Sequence, residues 1–164
     1  MKKIVLLISI IAVCSQGRNL VHEEDISTIG EFIAHWEGYR NEVYTCPAGY
    51  KTIGIGHKLK KGENFVYLTD QEIDAIFNQD LEVVYEFMPK YIKDMWGLPE
   101  IVQYCLIDLG FNLGETRFAK FKKTIEACNA RDFELMSKEL KDSKWYHQVG
   151  RRSRHHVQAL ANQN

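Results

Sequence analysis

The chain has 164 residues, 45% of them hydrophobic and 26% charged, with a formal net charge of −1. That length holds one domain, or two lobes sharing a long helix, and the near-neutral balance gives no global electrostatic reason to bind nucleic acid. Three prolines and no Ser-, Gly- or Gln-rich tract exclude disorder, and no repeat at a period of roughly 20–50 residues suggests a solenoid.

Lys2 and Lys3 precede an apolar run from Ile4 to Val13, which Cys14-Ser15-Gln16-Gly17 closes with small and polar residues. The run falls short of the roughly 20 apolar residues a membrane helix needs. Its order of charge, apolar core and polar end predicts an export signal over residues 1–17. The exported chain, 18–164, is then expected to be periplasmic or secreted, without a stable membrane span. Ile11-Ala12-Val13-Cys14 also reads as an imperfect lipobox, so a lipid anchor at Cys14 is the alternative fate. Cys46, Cys105 and Cys128 remain, an odd set, so at least one thiol is expected to be free and a disulfide-held scaffold is not expected.

Along the chain, Ile26, Ile29, Ile33 and Trp36 share one face of a short helix over 26–36, with Ser27 and Thr28 near its start. From Glu42 to Ile55, aromatic and β-branched residues flank a Pro47-Ala48-Gly49 turn, which predicts a β-hairpin. Lys58 to Asn64 reads as a basic loop. Thr69-Asp70-Gln71-Glu72 is a capping box, and Ile73, Ile76, Phe77, Leu81, Val84, Tyr85 and Met88 follow at helical spacing. That spacing predicts a connecting helix over 69–88, stopping before Pro89.

Ile101 to Leu113 is almost wholly apolar apart from Asp108 and Asn112, so a core helix is expected there, with Cys105 packed as a small hydrophobe. Phe118, Phe121, Ile125, Phe133, Met136 and Leu140 predict further short amphipathic helices. The tail turns basic, and Arg151, Arg154, His155 and His156 read as a solvated face. The predicted class is mostly α (α+β), with one small sheet near the N-terminal end.

Glu37, at the end of the first predicted helix, is followed by Cys46 in the turn and Thr52 in the returning strand. A helix end running into a hairpin can gather these side chains around one cleft. A carboxyl desolvated by apolar surface there suits a general acid; by spacing alone, Glu37 is equally a solvated helix terminus. No HExxH or other ligand spacing implies a metal, and no cofactor motif is present.

The stretches Glu37-Gly38-Tyr39-Arg40-Asn41-Glu42-Val43-Tyr44 and Thr52-Ile53-Gly54-Ile55-Gly56-His57 resemble the active-site signature of phage-type lysozymes, glycoside hydrolase family 24. Phe77-Asn78-Gln79-Asp80, Gly114-Glu115-Thr116 and Ser143-Lys144-Trp145-Tyr146 extend the likeness, closest to the T-even phage branch, over about residues 26–160. The resemblance implies a two-lobed lysozyme-like fold: an N-terminal lobe over about 26–68, the connecting helix, and a helical lobe over 89–164. It also implies a monomer acting on peptidoglycan glycan strands, at the β-1,4 bond between N-acetylmuramic acid and N-acetylglucosamine.

Carried across, Glu37 takes the place of the catalytic acid and Thr52 that of the threonine beside the attacked carbon. Cys46 stands where most members place an aspartate. An aspartate activates water as an anion, whereas a thiol with a reference pKa near ~8.5 is mostly protonated unless its surroundings lower it. Some exported endolysins of the signal-arrest-release type are similar in using a cysteine here, and in that type a leader cysteine, the place Cys14 would take, helps control whether it is masked. Lys58, Phe111, Thr124 and Glu139 fall at glycan-contact positions, Phe111 alone keeping the family's residue type. Asn112 adjoins them, as a substrate contact or a helix-core bond. His57 and Asp80 correspond to a structural pair, and Arg152 to a basic residue facing the acid. Two other readings stay open: a wall-binding homologue without turnover, and a Cys46/His57 hydrolase of wall peptides.

Overall fold

The computed structural model describes residues 28–163. Residues 1–17, read above as an export signal, with Cys14 among them, and Ile26 lie outside the described residues. The elements in order are α1 (Ile29–Glu37), β1 (Arg40–Thr45), β2 (Lys51–Gly54), β3 (His57–Lys58), α2 (Asp70–Tyr91), α3 (Glu100–Leu113), α4 (Glu115–Phe118), α5 (Lys122–Asn129), α6 (Phe133–Lys141), α7 (Lys144–Val149) and α8 (Arg151–Ala161). This is the expected α+β class, and the described residues divide into two compact units between Glu82 and Val83, inside α2. No described helix is long and apolar enough to cross a membrane.

In the first unit, Thr28 starts α1 through a capping box: its hydroxyl accepts from the Glu31 amide at 3.2 Å, and the Glu31 carboxylate accepts from the Thr28 amide at 3.0 Å. Gly38, at φ +76°, ends the helix and leaves Glu37 as its last residue. The sheet is antiparallel, in the order β1-β2-β3. The hairpin is where the Pro/Gly turn predicted it; the third strand replaces the start of the loop expected from Lys58. The Thr69/Glu72 box is present, with the Glu72 carboxylate 2.8 Å from the Thr69 amide. Tyr39 and Asn41 both donate to Asp70, at 2.6 and 2.9 Å, tying β1 to the start of α2.

α2 does not stop before Pro89 as expected: Pro89 lies inside it, and the helix runs on to Tyr91. Proline removes one i→i−4 bond, but the next turn is made, the Ile92 amide donating to Met88 at 2.9 Å. Phe87, Met88 and Ile92 are fully buried, so packing outweighs the lost bond. In the second unit, α3 carries the buried Val102, Cys105, Leu106 and Leu109 as its apolar run predicts. A Cβ at Gly110 would collide with Met88, so α3 and the end of α2 approach across a glycine. The basic tail, which periodicity did not resolve, forms α7 and α8.

Candidate functional site

The hairpin turn builds the first part of the site. The Cys46 amide donates to the Tyr50 carbonyl at 2.9 Å, and the Gly49 amide closes the turn on the Cys46 carbonyl at 2.8 Å. Gly49 takes φ +84°, a conformation that favours glycine. The Tyr50 carbonyl also accepts from the Thr52 hydroxyl at 3.1 Å. Tyr50 therefore fixes Cys46 and Thr52 through one backbone oxygen. Cys46 is half-buried and in no disulfide, and Thr52 is buried.

Burial pushes the Cys46 thiol up, but hydrogen bonds from the Tyr50 backbone, the Thr52 side chain and the Ala48 backbone, with the charge of Lys58, outweigh it; the thiol sits below its ordinary value. Donors aimed at sulfur stabilise a thiolate as they would a carboxylate. Cys105 and Cys128 behave oppositely: burial pushes Cys105 well up and Cys128 to about 11. Both are inert core residues.

Across the sheet, Tyr44 pairs with Thr52 and Thr52 with Lys58, which forms one transverse row. Directly opposed residues share a face. Burial, then Glu37, push the Tyr44 hydroxyl up; Arg40, stacked on its ring at 4.6 Å, pulls it down, and Cys46 adds to the rise. Glu37, at the end of α1, reaches Gly56: a Cβ there would lie 2.9 Å from Glu37 Oε2. Gly56, at φ +73°, and Gly54, at φ +63° with Ile73 3.1 Å from its would-be Cβ, are points of close backbone approach. Glu37, Cys46, Thr52 and Lys58 thus all fall in one unit, linked through the sheet.

His57 is buried between two carboxylates, its Nδ1 2.5 Å from Asp80 and its Nε2 2.9 Å from Glu63. Both nitrogens face acceptors, so the ring carries two protons. The bond to Asp80 above all, with Glu63, holds its pKa above the ordinary value against burial. Neither nitrogen remains for Cys46, which removes the base that a Cys46/His57 hydrolase requires. Asp80 was anticipated as a partner; Glu63, in a segment read as a basic loop, was not.

In the second unit, Arg152 is buried and donates to Asp108 through Nε at 2.8 Å and Nη2 at 2.6 Å. His156 is fully buried rather than part of a solvated face. Its Nε2 lies 2.7 Å from Asp108 and its Nδ1 2.8 Å from the Arg152 carbonyl. An i,i+4 step on α8 carries Arg152 and His156 to one side, a position that residue type alone conceals. Burial pushes the Asp108 carboxyl up, but Arg152 and then His156 hold it below its usual value. Asn112 accepts from Trp145 Nε1 at 3.0 Å, which is the helix-core bond of the two roles considered for it. Phe111 is half-buried, Thr124 is buried at 3% exposure, and Glu139 lies 3.6 Å from Lys123. Among the described residues, no cluster of three or more His, Cys, Asp or Glu could hold a metal ion.

The profile of the family described as phage lysozyme matches residues 34–163. A probable T4-type lysozyme 1 of Dictyostelium discoideum is 26% identical over 153 residues, spanning 78% of this chain and 90% of that protein. A pre-baseplate central spike protein Gp5 of Enterobacteria phage T4 is 29% identical over 152 residues, 77% of this chain but 26% of its own length. A peptidoglycan hydrolase, gp36, of Pseudomonas phage phiKMV is 24% identical over 141 residues, 85% of this chain and 16% of that protein.

Proposed function

Because the chain belongs to the phage lysozyme family, we propose that it is an exported muramidase that hydrolyses the β-1,4 bond between N-acetylmuramic acid and N-acetylglucosamine in peptidoglycan. The observation that carries this reading is the hairpin that fixes Cys46 and Thr52 on the Tyr50 carbonyl, at 2.9 and 3.1 Å; against burial, the Tyr50 and Ala48 backbone amides, the Thr52 side chain and the Lys58 charge hold the thiol below its ordinary value. Those groups favour an anion at the position where the family places an aspartate.

In this mechanism Glu37 gives its proton to the departing glycosidic oxygen as the bond to C1 breaks. Cys46, as thiolate, takes a proton from the water that attacks C1, and Thr52 orients that water. The Glu37 proton ends on the released N-acetylglucosamine hydroxyl and the water proton on sulfur. Solvent then returns Glu37 and Cys46 to their starting states. Lys58 is the glycan contact of the first unit, and Phe111, Thr124 and Glu139 are the glycan-contact positions of the second.

Mass analysis of products from reduced protein and peptidoglycan tests this. New reducing muramic ends are expected, lost with Glu37→Gln and reduced by at least about a hundredfold with Cys46→Ala. An inverted anomeric configuration is expected if sulfur delivers water, a retained one if it attacks the sugar. New amino or carboxyl ends without reducing sugar would overturn the reading. Wall binding without product would leave a binding homologue.

A further inference from the structure

Lys58 is exposed, and an unrestrained lysine there would spread through solvent. It is instead held on two sides. The β2–β3 register sets its backbone opposite Thr52. Its Nζ lies over the Tyr50 ring, 5.4 Å from the centroid. The same Tyr50, through its backbone, binds the Cys46 amide at 2.9 Å and the Thr52 hydroxyl at 3.1 Å. One residue thus joins the hairpin turn to a restrained cation on the neighbouring strand.

We propose that Lys58, parked on the Tyr50 ring opposite Thr52, is the positioning residue that supplies the counter-charge to a Cys46 thiolate during turnover. This rests on the catalytic reading of Cys46. The other groups that lower the thiol are neutral: the Tyr50 and Ala48 backbone amides and the Thr52 side chain, whose hydroxyl proton goes to the Tyr50 carbonyl in the structure. From β1, the Tyr44 hydroxyl is pushed up by burial and by Glu37, so it stays protonated and contributes no charge near neutral pH. Arg40 is stacked on the Tyr44 ring. Where most family members carry an aspartate, anionic at neutral pH without help, a cysteine needs a cation. The Tyr50 ring restrains that cation electrostatically without neutralising it, as a carboxylate partner would.

The test measures Cys46 alkylation by iodoacetamide against pH in the full chain, with peptide mapping to separate the cysteines, beside wall-lysis activity over the same range. Lys58→Met keeps the length and removes the charge, and Lys58→Arg restores it. The expected result is Cys46 alkylation about threefold slower at pH 7 in Lys58→Met, with the midpoint moved to higher pH and Lys58→Arg close to wild type. The activity profile moves by the same amount. Identical alkylation profiles for wild type and Lys58→Met, in variants with wild-type melting temperatures, would overturn the proposal whatever the activity. A moved alkylation profile with an unmoved activity profile would overturn the catalytic reading of Cys46 while leaving the coupling to Lys58 standing.

Discussion

At Gly56 the backbone meets the carboxylate of Glu37 so closely that a single methyl group would touch it, 2.9 Å from Oε2. Gly56→Ala also places a side chain at φ +73°. The strain is expected to cost about 1–2 kcal/mol, and displacement of Glu37 is expected to lower lysis by more than tenfold. A thermal melt beside a lysis assay separates the two effects. Full activity in a folded variant would mean that the Glu37 position does not matter. The legible and illegible parts of the site divide here. Glu37, Cys46 and Thr52 stand out because an ordered set of local motifs surrounds them. The Tyr50 carbonyl shared by Cys46 and Thr52 is invisible in sequence, because backbone carbonyls carry no residue-type signal.

Two elements are secured by buried ion pairs formed across long stretches of chain. β3 is only two residues long and is secured by His57 between Asp80, on α2, and Glu63. His57→Asn removes both ring contacts and leaves Asp80 only the exposed Lys60, 3.4 Å away, which is expected to cost about 2–3 kcal/mol. Urea melts at pH 6 check this, and a loss below about 0.5 kcal/mol would make the pair ornamental. α3 and α8 are joined by Asp108 with Arg152 and His156. Asp108→Asn leaves a buried guanidinium without its anion and is expected to cost about 3–5 kcal/mol, read in the same melts. Periodicity predicted α3 well, because an apolar run is a local signal. It missed β3, α7, α8 and the passage of α2 through Pro89, which depend on partners far away in sequence.

For the whole molecule, the two ion clusters respond to pH in opposite directions. His57 has a raised pKa when folded, so its stabilisation is complete below its unfolded value of about 6.5 and is lost as pH rises through the folded value. Asp108 has a lowered pKa. Its stabilisation is complete above an unfolded value of about 3.9 and is lost as pH falls through the folded one. Glu63, also lowered, adds an acid loss in the first unit. Hydrogen exchange, corrected for intrinsic rates, is expected to show β3 opening first as pH rises above about 6.5, and α3 with α8 opening as pH falls below about 3.9. Uniform opening at both extremes would contradict the assignment of each cluster to its own unit.

The linear chain by itself determined the α+β class, the Thr69 capping box, the hairpin and the family. Those rest on propensity, spacing and local motif, which act within a few residues. It also singled out Glu37, Cys46 and Thr52 as candidates. Only the tertiary structure decided that His156 is buried, that Arg152 meets Asp108, and that Glu63 completes the cage around His57. It also decided that Lys58 stands over the Tyr50 ring. These depend on which side chains desolvate one another across the fold, and a buried charge keeps its place only where a partner offsets the lost hydration.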